Sequence, residues 1–292
     1  MMQRFVACVF VCLAAASAQA QERPLPDASA FLREARNRLE AVSDPEAEYV
    51  YVQTRRERKL DKAGRTTSES VTVVESYPGL PGESRWERVI EKNGVPPSAR
   101  ELDKADRERK KHVEEYERKL AGDPAKERAR QAREHERRRR RYLAAVDEIF
   151  SVFDTRMLGR EAVRGHDTIV FSLTPRPEAK PRTRQGKIMR KVAGRVWISE
   201  SDHELVRLEA ESLDTISIGL GLLARVHKGS SVSLERRKVG DVWLPALGTY
   251  SVRARVGLVS VLRRAGTEEF SDYRRFNVET SATYAPPKPP SP

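Results

Sequence analysis

The stretch Arg195–Leu213, RVWISESDHELVRLEAESL, decides the fold. Val206, Leu208 and Ala210 alternate with Arg207, Glu209 and Glu211. A period of two with one oily and one charged side marks an antiparallel strand whose sheet keeps one face wet. Arg195 to Ser199 reads as its neighbour, and Glu200-Ser201-Asp202-His203 supplies turn residues between them.

The same pattern extends in both directions. Upstream, Met157–Val163 pairs with Thr168–Thr174 across Arg164-Gly165-His166-Asp167, with Ile169, Phe171 and Leu173 facing one way. Tyr49–Leu60 and Thr66–Tyr77 form a hairpin over Lys62-Ala63-Gly64-Arg65, and Arg85–Lys92 is a third strand. Pro175–Lys187 reads as a mobile loop. Downstream, Val232–Val239 is a strand, and Gly240-Asp241 turns the chain into Val242-Trp243-Leu244-Pro245. Thr249–Leu262 reads as one long strand with Tyr250, Val252, Ala254, Val256 and Leu258 on one side. Phe270–Tyr284 closes the sheet. Ahead of all of these, Asp27 caps a helix over Ala28–Val42 that stacks Phe31, Ala35 and Leu39 on one face.

A different composition interrupts the strands at 98–150. Ser98 and Glu101 form a capping box. Residues 99–121 then form a charged helix with a narrow stripe of Leu102, Val113, Tyr116 and Leu120. Gly122-Asp123-Pro124 breaks it, and 125–150 form a second helix. Segment 98–141 carries 17 basic and 11 acidic residues, including the run Arg137, Arg138, Arg139, Arg140 and Arg141. The reading is a two-helix projection with a packed base and a solvated tip.

The N-terminus has the plan of a cleavable export signal. Arg4 precedes a 12-residue apolar run, Phe5–Ala16, and Ala18-Gln19-Ala20 places the cleavage after Ala20. The run is too short for a hydrocarbon core of about 30 Å. Both cysteines, Cys8 and Cys12, lie inside this signal, so the mature chain of 272 residues has no disulfide or thiolate chemistry. Its expected organisation is a signal peptide at 1–20, a single domain at 21–284 with the insert 98–150, and a Pro-rich tail at 285–292. Without Arg4, 54 basic residues face 43 acidic ones, a field that favours anionic partners.

RVWISESDHELVRLEAESL, then VWLP at Val242–Pro245, then FSDYRRF at Phe270–Phe276, resemble the outer-membrane lipoprotein-sorting superfamily, the LolA/LolB-like group of exported proteins. The resemblance covers roughly 27–95 and 150–284; the charged insert departs from the lipoprotein carrier itself. It implies an α+β fold: a curved antiparallel sheet, an incomplete β-barrel, covering an N-terminal helix. It also implies a periplasmic location and an apolar concavity that holds acyl chains. No ligand residue of the carrier transfers to this sequence.

Candidate sites follow from these readings. Ile218, Leu220, Leu222 and Leu223 belong to the most apolar stretch of the mature chain, Ile216–Val226, a short helix or a loop. They line or lid a lipid cavity, or form an ordinary buried turn. Trp197, Trp243 and Tyr250 line the same cavity or pack the core. The arginines 137–141, about 100° apart around the helix, form a collar for a diffuse anionic surface. Alternatively they form a solvated face with pairs such as Glu134–Arg138. Catalytic patterns are absent: the five histidines are scattered, and there is no Gly-x-Ser-x-Gly elbow or phosphate loop. Asp202, His203 and Glu204 read as turn chemistry rather than a metal site. The expectation is a non-enzymatic binding or carrier protein with no metal or cofactor, whose partner is an apolar ligand or lipoprotein acyl chain. The alternative is an envelope scaffold whose basic hairpin meets an anionic membrane or a partner protein. No specific nucleic-acid role is supported.

Overall fold

The computed structural model describes residues 23–41, 45–81, 83–218, 224–257 and 260–276. Residues 1–22, with the expected signal peptide, Leu220, Leu222, Leu223, Leu258 and residues 277–292 lie outside the described residues.

Helix α1 (Ala28–Ala41) starts where Asp27 Oδ1 accepts the Ala30 N–H at 2.8 Å. A short 3-10 turn leads into strands β1 (Tyr49–Leu60), β2 (Thr66–Tyr77) and β3 (Trp86–Lys92). Helices α2 (Ala99–Gly122) and α3 (Pro124–Val152) form the inserted hairpin. Ser98 and Glu101 complete the capping box, and Asp123 caps α3 through the Lys126 N–H at 3.0 Å. Strands β4 (Phe153–Val163) and β5 (His166–Pro175), helix α4 (Arg184–Met189), and strands β6 (Val192–Ser199) and β7 (Leu205–Ser212) follow. The chain ends in β8 (Ile216–Ile218), β9 (Ala224–Val226), β10 (Ser231–Val239), β11 (Val242–Val256) and β12 (Ser260–Arg275).

Among the described residues, twelve antiparallel strands make one open sheet in the order β3-β2-β1-β12-β11-β10-β7-β6-β5-β4, with the β8–β9 hairpin attached to β11. The register shifts at Val50/Val52, Val73/Val74, Met157/Gly159, Trp197/Ile198 and Glu235/Arg236. Each such bulge bends its strand and increases the local twist, which curls a sheet of this width.

Three sequence expectations change here. The supposed mobile loop contains α4, because the Thr183 side chain accepts the Gly186 N–H at 2.9 Å and starts a turn of helix. Residues 216–226 are neither helix nor loop at their described ends, where Ile216 pairs with Val226 as β8 and β9. The supposed single strand 249–262 is two strands. Gly257, at φ 62°, occupies the left-handed region between β11 and β12, and Val256 then pairs back with Ser260. The last described strand ends at Arg275, and residues 277–284 of the expected closing strand lie outside the described residues.

The core lies at the β4–β7 end. On one face, Phe31 and Ala35 of α1 pack with Ile169, Phe171 and Ile198, flanked by Met157 and Val196. The Phe31 and Phe171 rings stack 5.9 Å apart. The intervening residues Val170 and Trp197 point to the opposite face and join Val163, Val206 and Trp243 in a second buried cluster. Both faces of the sheet are thus dry at this end. The base of α3 closes against α1: the Tyr142 hydroxyl donates to the Leu39 carbonyl at 2.8 Å, and Arg36 pairs with Asp147 and lies over Phe150.

Candidate functional site

Residues paired directly across antiparallel strands share a face. One row therefore crosses the sheet through Phe171, Val196, Leu208, Leu234, Gly248, Glu268 and Arg55. The next row runs Leu173, Gly194, Ala210, Val232, Tyr250, Gly266 and Glu57. Both begin on the face covered by α1. Past the helix they remain apolar over β7, β10 and β11, where Leu208, Ala210, Leu234, Tyr250 and Val252 are half-buried and Val232 is 48% exposed. This oily strip, two strand spacings or about 10 Å wide, is the candidate site.

A polar ladder borders it. Tyr250 Oη lies 3.3 Å from Glu57 Oε2, and Glu57 pairs with Arg264. Burial and the Glu57 carboxylate raise the Tyr250 phenol above its usual range, so it is a neutral donor. Gln53, buried, donates to Glu268 at 3.0 Å and accepts from Arg55 at 2.6 Å; Arg55 also binds Glu87. That carboxylate raises Arg55, against the cost of burial. Strip and ladder together present a hydrocarbon-compatible floor beside groups that hydrogen-bond and carry charge.

The other sequence candidates lie elsewhere. Trp197 is 2% exposed, donates to Glu161 at 2.8 Å, and has Arg195 and Arg207 over its ring at 5.0 and 4.8 Å. Trp243, also 2% exposed, donates to Asp202 at 3.0 Å. The two tryptophans share a buried cluster, while Tyr250 lies apart on the strip. Ile218 pairs with Ala224 at the end of β8. Asp202 also binds Lys238; Glu204 binds Arg38 and Arg236; the His203 ring rests on Phe31 at 4.7 Å. This turn therefore locks strands to α1. Among the described residues, no group of three His, Asp or Glu is placed to hold a metal. Nor is any described helix long and apolar enough to cross a membrane.

Sequence reasoning missed the ladder, whose members Glu57 and Arg264 are separated by 207 residues. It also missed an aromatic cluster beside it. Tyr51 lies 5.6 Å from Phe270 and 5.2 Å from Tyr273, with Arg85 over Tyr51 and Arg237 over Tyr273.

On the hairpin, α2 runs along the outer edge of β3. It touches residues from both faces of that strand: Arg88 pairs with Asp106 at 2.9 Å, Arg109 lies over Trp86, and Leu102 and Ala105 meet Glu87 and Val89 across a cleft of about 600 Å³. Arginines 137–141 are all exposed. Glu134 pairs with Arg130 at 3.2 Å rather than with Arg138.

No family model and no curated sequence matches the chain. Solved structures do. An outer-membrane lipoprotein-sorting protein domain from Vibrio parahaemolyticus aligns over 86% of this chain and 94% of its own, at 8% identity and a TM-score of 0.31. A LolA superfamily protein from Nitrosomonas europaea aligns over 87% and 96%, at 10% identity and a TM-score of 0.27. The Pseudomonas aeruginosa MucA/MucB complex contributes a match over 87% and 100%, at 12% identity and a TM-score of 0.21. At these scores the matches register a likeness and carry nothing about ligand, partner or role. By its own topology the chain is an α+β protein with an open antiparallel sheet over an N-terminal helix, and it is similar to the LolA-like group of lipoprotein-sorting domains.

Proposed function

We propose that this chain is an exported, periplasmic binding or carrier protein that shelters an acyl chain or similar apolar ligand on the inner face of its open sheet, without catalysing a reaction. One observation carries this reading: the apolar rows that pack against α1 continue beyond its buried residues Phe31 and Ala35, across Leu208, Leu234, Val232, Tyr250 and Val252, which are only half-buried or exposed among the described residues. Burial of a methylene against such a strip is worth about 0.8 kcal/mol, so a chain of ten methylenes has binding energy in hand before ordering costs. The Gln53–Glu268 and Glu57–Arg264 ladder places hydrogen-bonding groups where the polar end of such a ligand would emerge. The signal-like segment at 1–20 and the resemblance of residues 195–213, 242–245 and 270–276 to lipoprotein-sorting proteins support the compartment.

The test is titration of the purified mature protein with a fluorescent fatty acid, wild type against Val232→Asp and Val252→Asp. Both variants place a charge on the strip, and circular dichroism checks that the sheet persists. The reading predicts saturable binding by the wild type and at least tenfold weaker binding by each variant. Equal affinity in all three proteins, or none in any, overturns it.

A further inference from the structure

Many arginines on the body of the protein hold a carboxylate, among them Arg23, Arg36, Arg38, Arg55, Arg56, Arg160, Arg164, Arg236 and Arg264. One stretch of α3 concentrates exposed arginines that do not. Arg133, Arg137, Arg138, Arg139 and Arg141 have no ion pair among the described residues, and only Arg140 in this stretch is matched, to Glu136 at 2.7 Å. Nine residues of helix span about 12 Å, so five uncompensated guanidinium groups stand within a very short length.

Their arrangement is not uniform. Arg133, Arg137 and Arg141 follow one another at i, i+4 and i+8 and make a single row. Arg140 lies alongside, and the four line a shallow groove with Ala132 and Glu136. The α2-facing side of α3 lies elsewhere, where Gln131 binds the Tyr116 hydroxyl at 2.8 Å. The row is also held in a fixed place. Immediately after it, Tyr142 is bonded to Leu39 of α1, and Val146 and Val152 are buried. The positive patch is therefore at the neck of the hairpin, rigidly joined to the body, and not at its tip.

We infer that the Arg133–Arg137–Arg141 row is a docking surface for an anionic phospholipid bilayer. Guanidinium groups bind phosphate oxygens through paired N–H donors and shed water more readily than ammonium groups. A row of them spaced one turn apart along an exposed helix matches a plane of headgroups better than a single pocket matches a single ion. Nucleic acid is the weaker fit, because the neighbouring Tyr142 is tied through its hydroxyl to the Leu39 carbonyl at 2.8 Å, and the row offers no series of rings on which successive bases would stack. This inference stands on the charge of α3 and is independent of the apolar strip.

The test is sedimentation of the mature protein with phosphatidylcholine vesicles and with vesicles containing about 30% phosphatidylglycerol, whose anionic surface attracts each nearby Lys or Arg by about 1 kcal/mol. Three proteins are compared: the wild type; the triple variant Arg133→Gln, Arg137→Gln, Arg141→Gln; and a charge-matched control, Lys62→Gln, Arg100→Gln, Arg225→Gln, whose sites are exposed on other elements. The wild type should bind only the anionic vesicles and release them in high salt. The patch variant should lose about a hundredfold in partitioning, while the control stays within about threefold of wild type. Three results overturn the inference: no vesicle binding by the wild type, equal losses in both triple variants (which would reduce the effect to net charge), or binding to duplex DNA with none to vesicles.

Discussion

Tyr250 lies across Gly266, its direct partner on the neighbouring strand: a Cβ at position 266 would come within 2.7 Å of the ring. Glycine there is a requirement of the ring's position and not of the backbone, and the aromatic face covers what a bare glycine would leave open in a strand. Gly266→Ala should therefore push Tyr250 off the strip and away from Glu57. The expected result is a destabilisation of about 1 kcal/mol by urea denaturation, together with weakened fatty-acid binding. Unchanged binding would separate the ring from the site.

Asp202 ties the β6–β7 turn to β10 and β11. Burial pushes its carboxyl up, but hydrogen bonds from Lys238, Ser199, Trp243 and the Glu204 N–H outweigh that and hold it at about 2. An unfolded aspartate titrates near 3.9. The folded group is the stronger acid, so its contribution is complete above about pH 4 and is lost as pH falls toward 2. Urea midpoints for wild type and Asp202→Asn should differ most at neutral pH and converge across that window. Asp202→Ala, which leaves the buried Trp243 N–H without its acceptor, should cost about 1–3 kcal/mol at pH 7.

Glu148, buried on α3, organises the segment before α4. Its Oε1 accepts the N–H groups of Arg182 and Thr183 at 2.6 and 2.8 Å. The other oxygen sits so close to Gly186 that a Cβ there would come within 1.7 Å of it. Glu148→Ala should release this segment. The amides of Arg182 and Thr183 should exchange at least tenfold faster, and global stability should fall by about 2 kcal/mol. Glu148→Gln retains the acceptor and should preserve most of the protection.

Ser98 accepts the Glu101 N–H, and Glu101 returns a bond to the Ser98 N–H at 2.8 Å. Ser98→Ala should remove about 1 kcal/mol from the start of α2. Hydrogen exchange should show fraying confined to the first turn, with the strands unaffected.

The strands were legible where alternation and turn chemistry agreed. β1 and β2 begin and end at the expected residues because the turn residues Lys62-Ala63-Gly64-Arg65 divide two runs whose far ends carry the apolar residues Val50, Val52, Val71 and Val73. The capping box announced α2 for the same reason: its signal is local. Gly257 was not legible as a turn, because alternation continues through it and only the left-handed backbone betrays the reversal. The site was legible only in part. Tyr250 and Val252 stood out by period, but nothing in a single strand tells Trp197, buried under two arginines, from a ring on an open floor. The ladder was invisible for a different reason, since Gln53 and Glu268 meet only once β1 has paired with β12.

The margins of the sheet have their own consequence. α2 lies along β3, while β4, at the far end, is broken by the bulge at Gly159 and studded with Arg156, Arg160 and Glu161. Neither rim offers a straight run of vacant peptide groups for another molecule to zip onto. A sheet this broad can thus leave the strip over β7, β10 and β11 open and still resist growing into fibres.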